Sequence, residues 1–165
     1  MVVKKLSKFL ISTIGCELVG IAATPFTVSA IPTWYQTLQK PSFSPPNWVF
    51  GPAWTILYFL MGVAVYLVWI KGLEKKAFKK ALSFFIAQLV FNFFWSILFF
   101  GLHSPILGLI DILILWTLIL ITIIKFYKIS KTASYLLIPY ILWVTFATIL
   151  NLSIVLLNPQ AFSIP

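Results

Sequence analysis

The side chains of this sequence best suited to binding are indole, phenol and amide groups embedded in long apolar stretches. Aromatic rings stack on flat apolar molecules, and an amide or hydroxyl can hydrogen-bond a polar edge of the same molecule. Inside a membrane, a polar group of this kind needs a partner or a function. The candidate ligand-binding residues are Trp54, Tyr58, Asn92, Trp95, Trp143, Ala147, Leu150 and Asn151.

The sequence carries no constellation for ordinary hydrolysis or for metal chemistry. It has no paired carboxylates at a workable spacing, no serine–histidine–acid set and no glycine-rich phosphate loop. Cys16 is the single cysteine and His103 the single histidine, so neither an internal disulfide nor a zinc site is expected. We therefore predict no metal site, no required cofactor and no firm catalytic residue.

The elements that must position the candidate residues are membrane helices. Of the 165 residues, 61% are hydrophobic and 9% are charged, whereas a soluble domain has about a quarter of its residues charged. Five apolar stretches are about as long as the roughly 20 residues that cross a bilayer core. The sequence thus predicts an all-α fold, an integral membrane bundle of five transmembrane helices in one domain, residues 1–165. The expected helices cover about 6–30, 48–70, 81–101, 105–124 and 132–157.

The first stretch has two interpretations. A lysine-rich start, an apolar run and the small residues at 28–30 outline a signal peptide. However, Glu17 interrupts the apolar run, and the run is long for the central region of such a peptide. These features favour a retained transmembrane helix, and a bundle of four helices after cleavage is the alternative.

The basic residues predict orientation rather than nucleic-acid binding. All twelve are lysines, and they give the chain a net charge of +9. They lie in short clusters between apolar stretches, and the positive-inside rule then places the N-terminus in the cytoplasm and the C-terminus outside a cytoplasmic-type membrane. The clusters are Lys4, Lys5 and Lys8; Lys71, Lys75, Lys76, Lys79 and Lys80; and Lys125, Lys128 and Lys131, with Lys40 alone on the other face.

The first loop, about residues 31–47, is rich in proline. Proline fixes φ and removes backbone donors, so we expect a stiff, non-helical cover. The loop also carries Trp34, Tyr35 and Phe43. An aromatic loop of this kind is either a lid over a site or part of an aromatic belt at the membrane interface. The candidate lid residues are Trp34, Lys40, Pro41, Ser42, Pro45, Pro46 and Trp48.

A rise of about 1.5 Å per helical residue places the candidate residues in one layer, between the membrane midplane and its outer third. Trp54, for example, is expected about 9 Å below the outer surface. Three helix faces, each with a tryptophan and a polar group, can enclose a cavity. Each polar residue also has a structural interpretation: Asn92 and Asn151 as hydrogen bonds between helices, Glu17 and Asp111 as structural acids.

Four parts of the sequence resemble one known family. The run WYQTLQKPSFSPPNWVFGPAWTILYFLMGVA, residues 34–64, closely resembles the signature of the TspO/MBR family, the translocator and tryptophan-rich sensory proteins. QLVFNFFWSILFFG (88–101) is similar to the third helix of that family, and IPYILWVTFATILN (138–151) to the fifth. Asp111 stands where the fourth helix of the family has its acid.

The resemblance implies a five-helix bundle, often a homodimer, that binds porphyrins such as protoporphyrin IX or haem. It implies pocket roles for Trp54, Tyr58, Trp95, Trp143, Ala147, Leu150 and Asn151, and loop roles for Trp34, Pro41, Ser42, Pro45, Pro46 and Trp48. Two departures from the family pattern matter. Leu107 replaces a tryptophan of many animal members, and LNLSIVLLNP lacks the tyrosine and basic residue of the cholesterol motif, which argues against a dedicated sterol site.

We expect a tetrapyrrole to enter under the first loop and to stack against Trp54, Trp95 and Trp143, with Lys40 attracting its propionates. Asn151, Tyr58 and Asn92 are expected to orient its polar edges. The predicted function is a membrane receptor or sensor linked to tetrapyrrole handling or stress regulation. The alternatives are a light- and oxygen-dependent porphyrin-degrading enzyme that uses Trp54 and Trp143, a small-molecule transporter, and a scaffold for another membrane protein.

Overall fold

The computed structural model describes residues 2–72 and 76–159. Lys75, one of the lysines that predict orientation, lies outside the described residues, as do residues 160–165 of the predicted domain and the side chain of Lys4. The α-helices in chain order are α1 (Val2–Ala30), α2 (Trp34–Thr37), α3 (Phe50–Trp69), α4 (Lys76–Ser96), α5 (Pro105–Tyr127), α6 (Lys131–Tyr135) and α7 (Ile138–Leu157).

Five segments of the chain are long and apolar enough to span a membrane, which confirms the predicted all-α membrane bundle. They are Lys5–Ala30, Asn47–Trp69, Lys76–Gly101, Pro105–Tyr127 and Lys131–Leu157. Segments of this length give about 35–40 Å of helix, enough for a core of about 30 Å. Leu142 and Leu156 are 63% and 69% exposed, as expected of side chains that face lipid.

The third span begins earlier than predicted. The expected start near residue 81 was wrong by more than one turn, because the helix begins at Lys76 and buries Phe78. Lys79 and Lys80 on this extra turn are exposed, so their charged ends can reach water while the helix continues. At its other end α4 continues through a π-helical turn, Ile97–Gly101.

The fifth span is two helices rather than the single helix predicted. α6 ends at Tyr135 and α7 begins at Ile138, with Pro139 in its first turn. Proline has no N–H to donate and its ring excludes the carbonyl four residues earlier, so a helix restarts at this point instead of running through. Ser130 caps α6 by accepting a hydrogen bond from the Ala133 N–H at 3.4 Å.

Helix α1 packs on one side of the bundle formed by the other long helices. α1 lies against α3 and α4, while α5 packs against α4 and α7. Gly62 of α3 makes the first of these contacts close, because a Cβ there would lie 2.5 Å from the Thr13 Cα. Small residues at a helix crossing allow such an approach of two backbones in a membrane.

The first loop is an ordered cover over one end of the bundle. Contrary to the prediction of a non-helical loop, residues 34–37 form the short helix α2. No proline lies between Pro32 and Pro41, so the residues between them can form a helical turn. Tyr35 is buried against Phe99 and Phe100, with ring centroids 6.3 and 5.6 Å away. The loop is thus packed onto the end of the third span.

Candidate functional site

A cavity of about 360 Å³ lies between α1, α3 and the end of α4 that adjoins the first loop. We call it the main cavity. Its volume falls in the range of about 300–1,000 Å³ that is common for small-molecule sites. It is lined by Glu17, Gly20, Ile21, Ala23, Thr24, Thr27, Val28, Ile31, Asn47, Trp48, Phe50, Gly51, Trp54, Thr55, Tyr58, Asn92, Trp95, Ser96 and Phe100.

Four of the predicted ligand-binding residues meet on the main cavity. Trp54 and Tyr58 line it from α3, and Asn92 and Trp95 line it from α4. The Trp54 and Tyr58 rings lie 5.7 Å apart between centroids, so together they form a continuous aromatic wall. The depth argument from sequence thus brings together the residues of these two helices.

The predicted residues of α7 lie on a different, much smaller cavity. Ala147, Leu150 and Asn151 line a space of about 20 Å³, which has room for about one water molecule. Phe50, Trp95 and Phe100 line both spaces and therefore separate them. The prediction of one pocket that includes the α7 residues is not what the structure shows.

Trp143 lies on neither of these two cavities. Its ring makes an edge contact with Phe50 at 6.1 Å and lies 5.7 Å from Phe146. The expectation that Trp54, Trp95 and Trp143 face one space was therefore wrong for Trp143. Helical spacing gives the face of α7 on which a residue lies, but it does not reveal that Phe50 of α3 is interposed.

A directional chain of hydrogen bonds starts at the main cavity. The Tyr58 hydroxyl donates to Asn92 Oδ1, and Asn92 Nδ2 donates to the Tyr140 hydroxyl at 2.8 Å. Tyr140 in turn donates to Gln88 Oε1 at 2.7 Å, and Gln88 Nε2 lies 3.8 Å from the Met61 sulfur. All members of the chain are buried. These hydrogen bonds join α3, α4 and α7. The wall of the main cavity is therefore connected to α7, a helix that does not line it.

Asn151 makes a contact between helices that satisfies its amide. In the orientation that fits its surroundings, Nδ2 donates to the Pro105 carbonyl and Oδ1 accepts from the Leu109 N–H, both at 3.0 Å. Gly108 lies between these two residues of α5, and a Cβ there would come within 3.2 Å of the Asn151 amide. The structural interpretation of Asn151 therefore fits better than a role in orienting a ligand.

The lid residues cover the bundle without lining either cavity, except Trp48. Trp48 stands at the rim of the main cavity and is 74% exposed. Lys40 donates from Nζ to the Leu38 carbonyl at 3.4 Å and lies 4.7 Å from the centroid of the Tyr35 ring. Burial raises the pKa of Tyr35, and a hydrogen bond with Ser44 lowers it in part. Neither cavity is lined by the remaining lid residues, Trp34, Pro41, Ser42, Pro45 and Pro46.

Sequence reasoning missed the wall that α1 contributes. Its lining residues lie at 17, 20, 21, 23, 24, 27 and 28, and most of them follow the three- and four-residue spacing of one helix face. That face carries Glu17, Thr24 and Thr27, and their polar character within an apolar helix was the available signal. Gly20 is part of it because a Cβ there would lie 2.5 Å from the Tyr58 ring.

Two further groups bear on the chemistry of the site. The Trp95 indole N–H is buried and has no hydrogen-bond partner among the described residues. An unpaired buried donor costs about 1–3 kcal/mol, so an acceptor that reached this group would be favoured. Within 2–72 and 76–159, no three His, Cys, Asp or Glu side chains come together as a possible metal site.

Known proteins resemble this chain along nearly its whole length. A family model described as the TspO/MBR family matches residues 12–157. The chain is 47% identical to the tryptophan-rich protein TspO of Archaeoglobus fulgidus over 151 residues, which are 92% of this chain and 97% of the relative. It is 37% identical over 139 residues to the tryptophan-rich sensory protein of Cereibacter sphaeroides (84% and 85%). It is 41% identical over 120 residues to the human translocator protein (72% and 70%). With its five membrane-spanning helices and this extent of similarity, the chain belongs to the TspO/MBR family.

Proposed function

We propose that this protein is a membrane receptor or sensor that binds porphyrin-type tetrapyrroles, such as protoporphyrin IX or haem, in the main cavity. The observation that carries the proposal is the composition of that cavity: aromatic side chains of Trp54, Tyr58 and Trp95, together with the polar groups of Asn92 and Glu17. Flat aromatic ligands stack on such walls, and the few polar groups fix their orientation. Tetrapyrrole handling or stress signalling is the corresponding cellular role.

The names of the relatives support a sensory role. One relative at 37% identity is called a tryptophan-rich sensory protein, and one at 41% is called a translocator protein. A sensor needs a connection from its ligand site to the rest of the molecule. The hydrogen bonds from Tyr58 through Asn92 and Tyr140 to Gln88 supply one. A ligand that displaced the Tyr58 hydroxyl would disturb α7 as well as α3 and α4.

We propose that the ligand enters the main cavity from the bilayer, between α1 and α3, and not under the first loop. Three lining residues near this opening are strongly exposed: Ile21 at 63%, Val28 at 59% and Trp48 at 74%. In a membrane-spanning bundle such residues face lipid. An apolar porphyrin dissolved in the bilayer would reach the site by lateral diffusion.

The type of membrane and the orientation of the protein are proposed from the distribution of its lysines. We propose a cytoplasmic-type membrane with the N-terminus inside and the C-terminus outside, because the lysine clusters lie at one end of the five spans. A homodimer is proposed from the family resemblance.

A titration of the purified protein in detergent with protoporphyrin IX, followed by tryptophan fluorescence, tests the proposal. Saturable quenching is expected. Trp54→Leu removes the stacking ring and should weaken the affinity about two- to tenfold, since an aromatic pair contributes about 0.5–1.5 kcal/mol beyond its buried area. Trp143→Leu is the matched control, because Trp143 lines neither cavity, and its affinity should stay within twofold of the wild type. Quenching that does not saturate would contradict the proposed function.

The enzyme hypothesis is a second candidate, and Trp54 is the residue that favours it. Its ring lies 5.7 Å from Tyr58 and 6.3 Å from Tyr140, a cluster of oxidisable rings at the cavity wall. Light- and oxygen-dependent porphyrin degradation would then depend on Trp54 far more than on Trp143. Illumination of the porphyrin complex of each single variant, with absorbance spectra recorded over time, distinguishes an enzyme from a receptor.

A further inference from the structure

One end of the bundle carries most of the positive charge of the chain. At this end α1, α4 and α6 begin and α3 and α5 end, and we call it the lysine-rich end. Its described lysines come from the first turns of α1 and α4 and from the segments next to the ends of α3 and α5. Of the three acids, Glu17 and Asp111 lie inside spans, and Glu74 lies outside the described residues. The lysines therefore have no described carboxylate at their own level.

Lys8 and Trp69 meet at the lysine-rich end, at the level of the membrane surface. Lys8 lies twenty-two residues before Ala30, and Trp69 lies twenty-two residues after Asn47, which are the opposite ends of their spans. Both are thus about 33 Å from those ends, slightly more than the roughly 30 Å of the hydrocarbon core. The Lys8 ammonium lies 5.3 Å from the centroid of the Trp69 ring. The pair therefore stands where lipid headgroups begin.

The face of α1 that carries Lys8 is polar at the membrane surface and apolar below it. Lys5, Lys8 and Ile11 follow one another at three-residue steps and share this face. Lys5 and Ile11 are exposed. An exposed isoleucine within a span faces acyl chains, whereas a lysine near the end of a span extends its ammonium to the headgroups. An anionic phospholipid satisfies both parts of this face, and a soluble polyanion supplies only the charge.

The Trp69 indole offers a second donor next to Lys8. Its N–H is buried and has no hydrogen-bond partner among the described residues, and an unpaired buried donor is costly. A phosphodiester has two unesterified oxygens, so one can accept from the Lys8 ammonium while the other accepts from the indole. A tilt of the ring would bring its N–H to such a phosphate, because Lys8 already lies against the ring.

We propose that α1 and α3 bind an anionic phospholipid where they meet at the lysine-rich end. The lipid phosphate accepts from Lys8 and from Trp69, and an acyl chain lies along Ile11. The other lysines of this end attract anionic lipid without a defined geometry. The binding does not depend on the proposed porphyrin site, since neither Lys8 nor Trp69 lines the main cavity.

The test measures which lipid lies next to Trp69. Bromine atoms on an acyl chain quench a tryptophan that they contact. The full chain is therefore reconstituted into vesicles of phosphatidylglycerol and phosphatidylcholine in which one of the two lipids is brominated. The fluorescence of Trp69 is the difference between a protein and the same protein with Trp69→Phe. Moving the bromine label from one lipid to the other gives their relative affinity at this position.

The measurement is made on the wild type, Lys8→Gln and Lys128→Gln. Lys128→Gln removes the same charge from the same end, but Lys128 caps α5, which packs mainly on α4, α6 and α7. Thermal unfolding checks that each variant is folded. If Trp69→Phe does not fold, the relative affinity is taken from the total tryptophan fluorescence of the three proteins.

We expect the wild type to prefer phosphatidylglycerol at Trp69 at least fivefold. Lys8→Gln should lower this preference about fivefold, the usual effect of one lysine near an anionic membrane surface. Lys128→Gln should lower it less than twofold. Equal losses in the two variants would show diffuse attraction and overturn the inference, as would a wild type without preference. Neither result bears on porphyrin binding, which the titration in detergent tests separately.

Discussion

The side-chain nitrogen of Asn92 lies 2.8 Å from the hydroxyl oxygen of Tyr140, and this hydrogen bond joins α4 to α7 through the interior of the bundle. The carbonyl oxygen of the same amide accepts from Tyr58. One asparagine thus links three helices; Asn92 and Tyr58 both line the main cavity, and Tyr140 does not. The hydrogen bonds thus connect the wall of the cavity to α7.

Replacement of Asn92 by leucine should destabilise the bundle by about 1–2 kcal/mol, because it leaves the Tyr58 donor and the Tyr140 hydroxyl each short of a partner. The free energy of unfolding is measured in mixed micelles with added SDS. Thr148→Val is the control, since among the described residues the Thr148 hydroxyl bonds only the Val144 carbonyl of its own helix, at 2.8 Å. Equal losses of unfolding free energy in the two variants would mean that the hydrogen bond between α4 and α7 stabilises the bundle no more than a bond within one helix does.

Gly20→Ala should reduce porphyrin binding more than stability. A Cβ on Gly20 would lie 2.5 Å from Tyr58 Cε2, so the ring must shift. The tyrosine is also held by Asn92, and a shift of its ring changes the shape of the main cavity. We expect at least a fivefold loss of affinity for protoporphyrin IX, equivalent to about 1 kcal/mol, in the fluorescence titration.

Gly15→Ala is the matched control for this prediction, because no atom of residues 2–72 or 76–159 outside its own helix and its neighbours lies within 4 Å of the Cβ it would add. Replacement of glycine by alanine within a helix stabilises by up to about 1 kcal/mol, so this variant should unfold at an equal or higher temperature and bind normally. If both variants bind alike, close contact between Gly20 and Tyr58 does not shape the site.

The fold and half of the candidate site could be predicted from the sequence, each for a different physical reason. Apolar runs of membrane-spanning length admit almost no structure except helices, so the five spans were predictable. Trp54 and Asn92 were placed together by depth, which depends only on rise per residue. Trp143 was misplaced because depth and helical face do not specify which helix lies opposite. The α1 wall was missed because its contact with Tyr58 depends on the absent side chain of Gly20.

Alkaline pH should loosen the first loop through Tyr35. This residue is 3% exposed, and burial raises its pKa above the usual value, with a hydrogen bond to Ser44 lowering it in part. The folded pKa lies above that of the unfolded loop, about 10, so the stabilisation is complete below pH 10. It is lost as the pH rises from there through the folded pKa, because the exposed phenol ionises first.

Limited proteolysis within residues 31–46 at pH 8, 9, 10 and 11 measures this effect, with a protease whose own activity is calibrated at each pH. Cleavage of the wild-type loop should accelerate above pH 10. Tyr35→Phe cannot ionise, so its cleavage should depend less on pH over the same interval. Identical profiles for the two proteins would assign the alkaline effect to other groups, such as the lysines.

A substitution at Asn158 tests whether ligand entry depends on the mobility of the first loop. This residue accepts from the Gln39 N–H at 2.9 Å and donates to the Gln39 carbonyl at 2.9 Å, which ties the loop to the end of α7. Asn158→Ala removes both bonds, together with the bond from Asn158 Nδ2 to the Ile154 carbonyl at 2.7 Å. A local loss of about 1–2 kcal/mol should accelerate amide hydrogen exchange at Gln39 by about five- to thirtyfold. Ser153→Ala is the control, because within the part of the chain that the structure describes the Ser153 hydroxyl bonds only the Ile149 carbonyl of the same helix, at 2.8 Å.

Stopped-flow binding of protoporphyrin IX to the same two variants then locates the entrance. If the ligand enters from lipid between α1 and α3, a more mobile first loop leaves the association rate within twofold of the wild type. The reason is that the positions of Trp48 and Val28, at the opening, do not depend on Asn158. An association rate that rises in step with hydrogen exchange at Gln39 would mean that the loop is the gate, and lateral entry would be wrong.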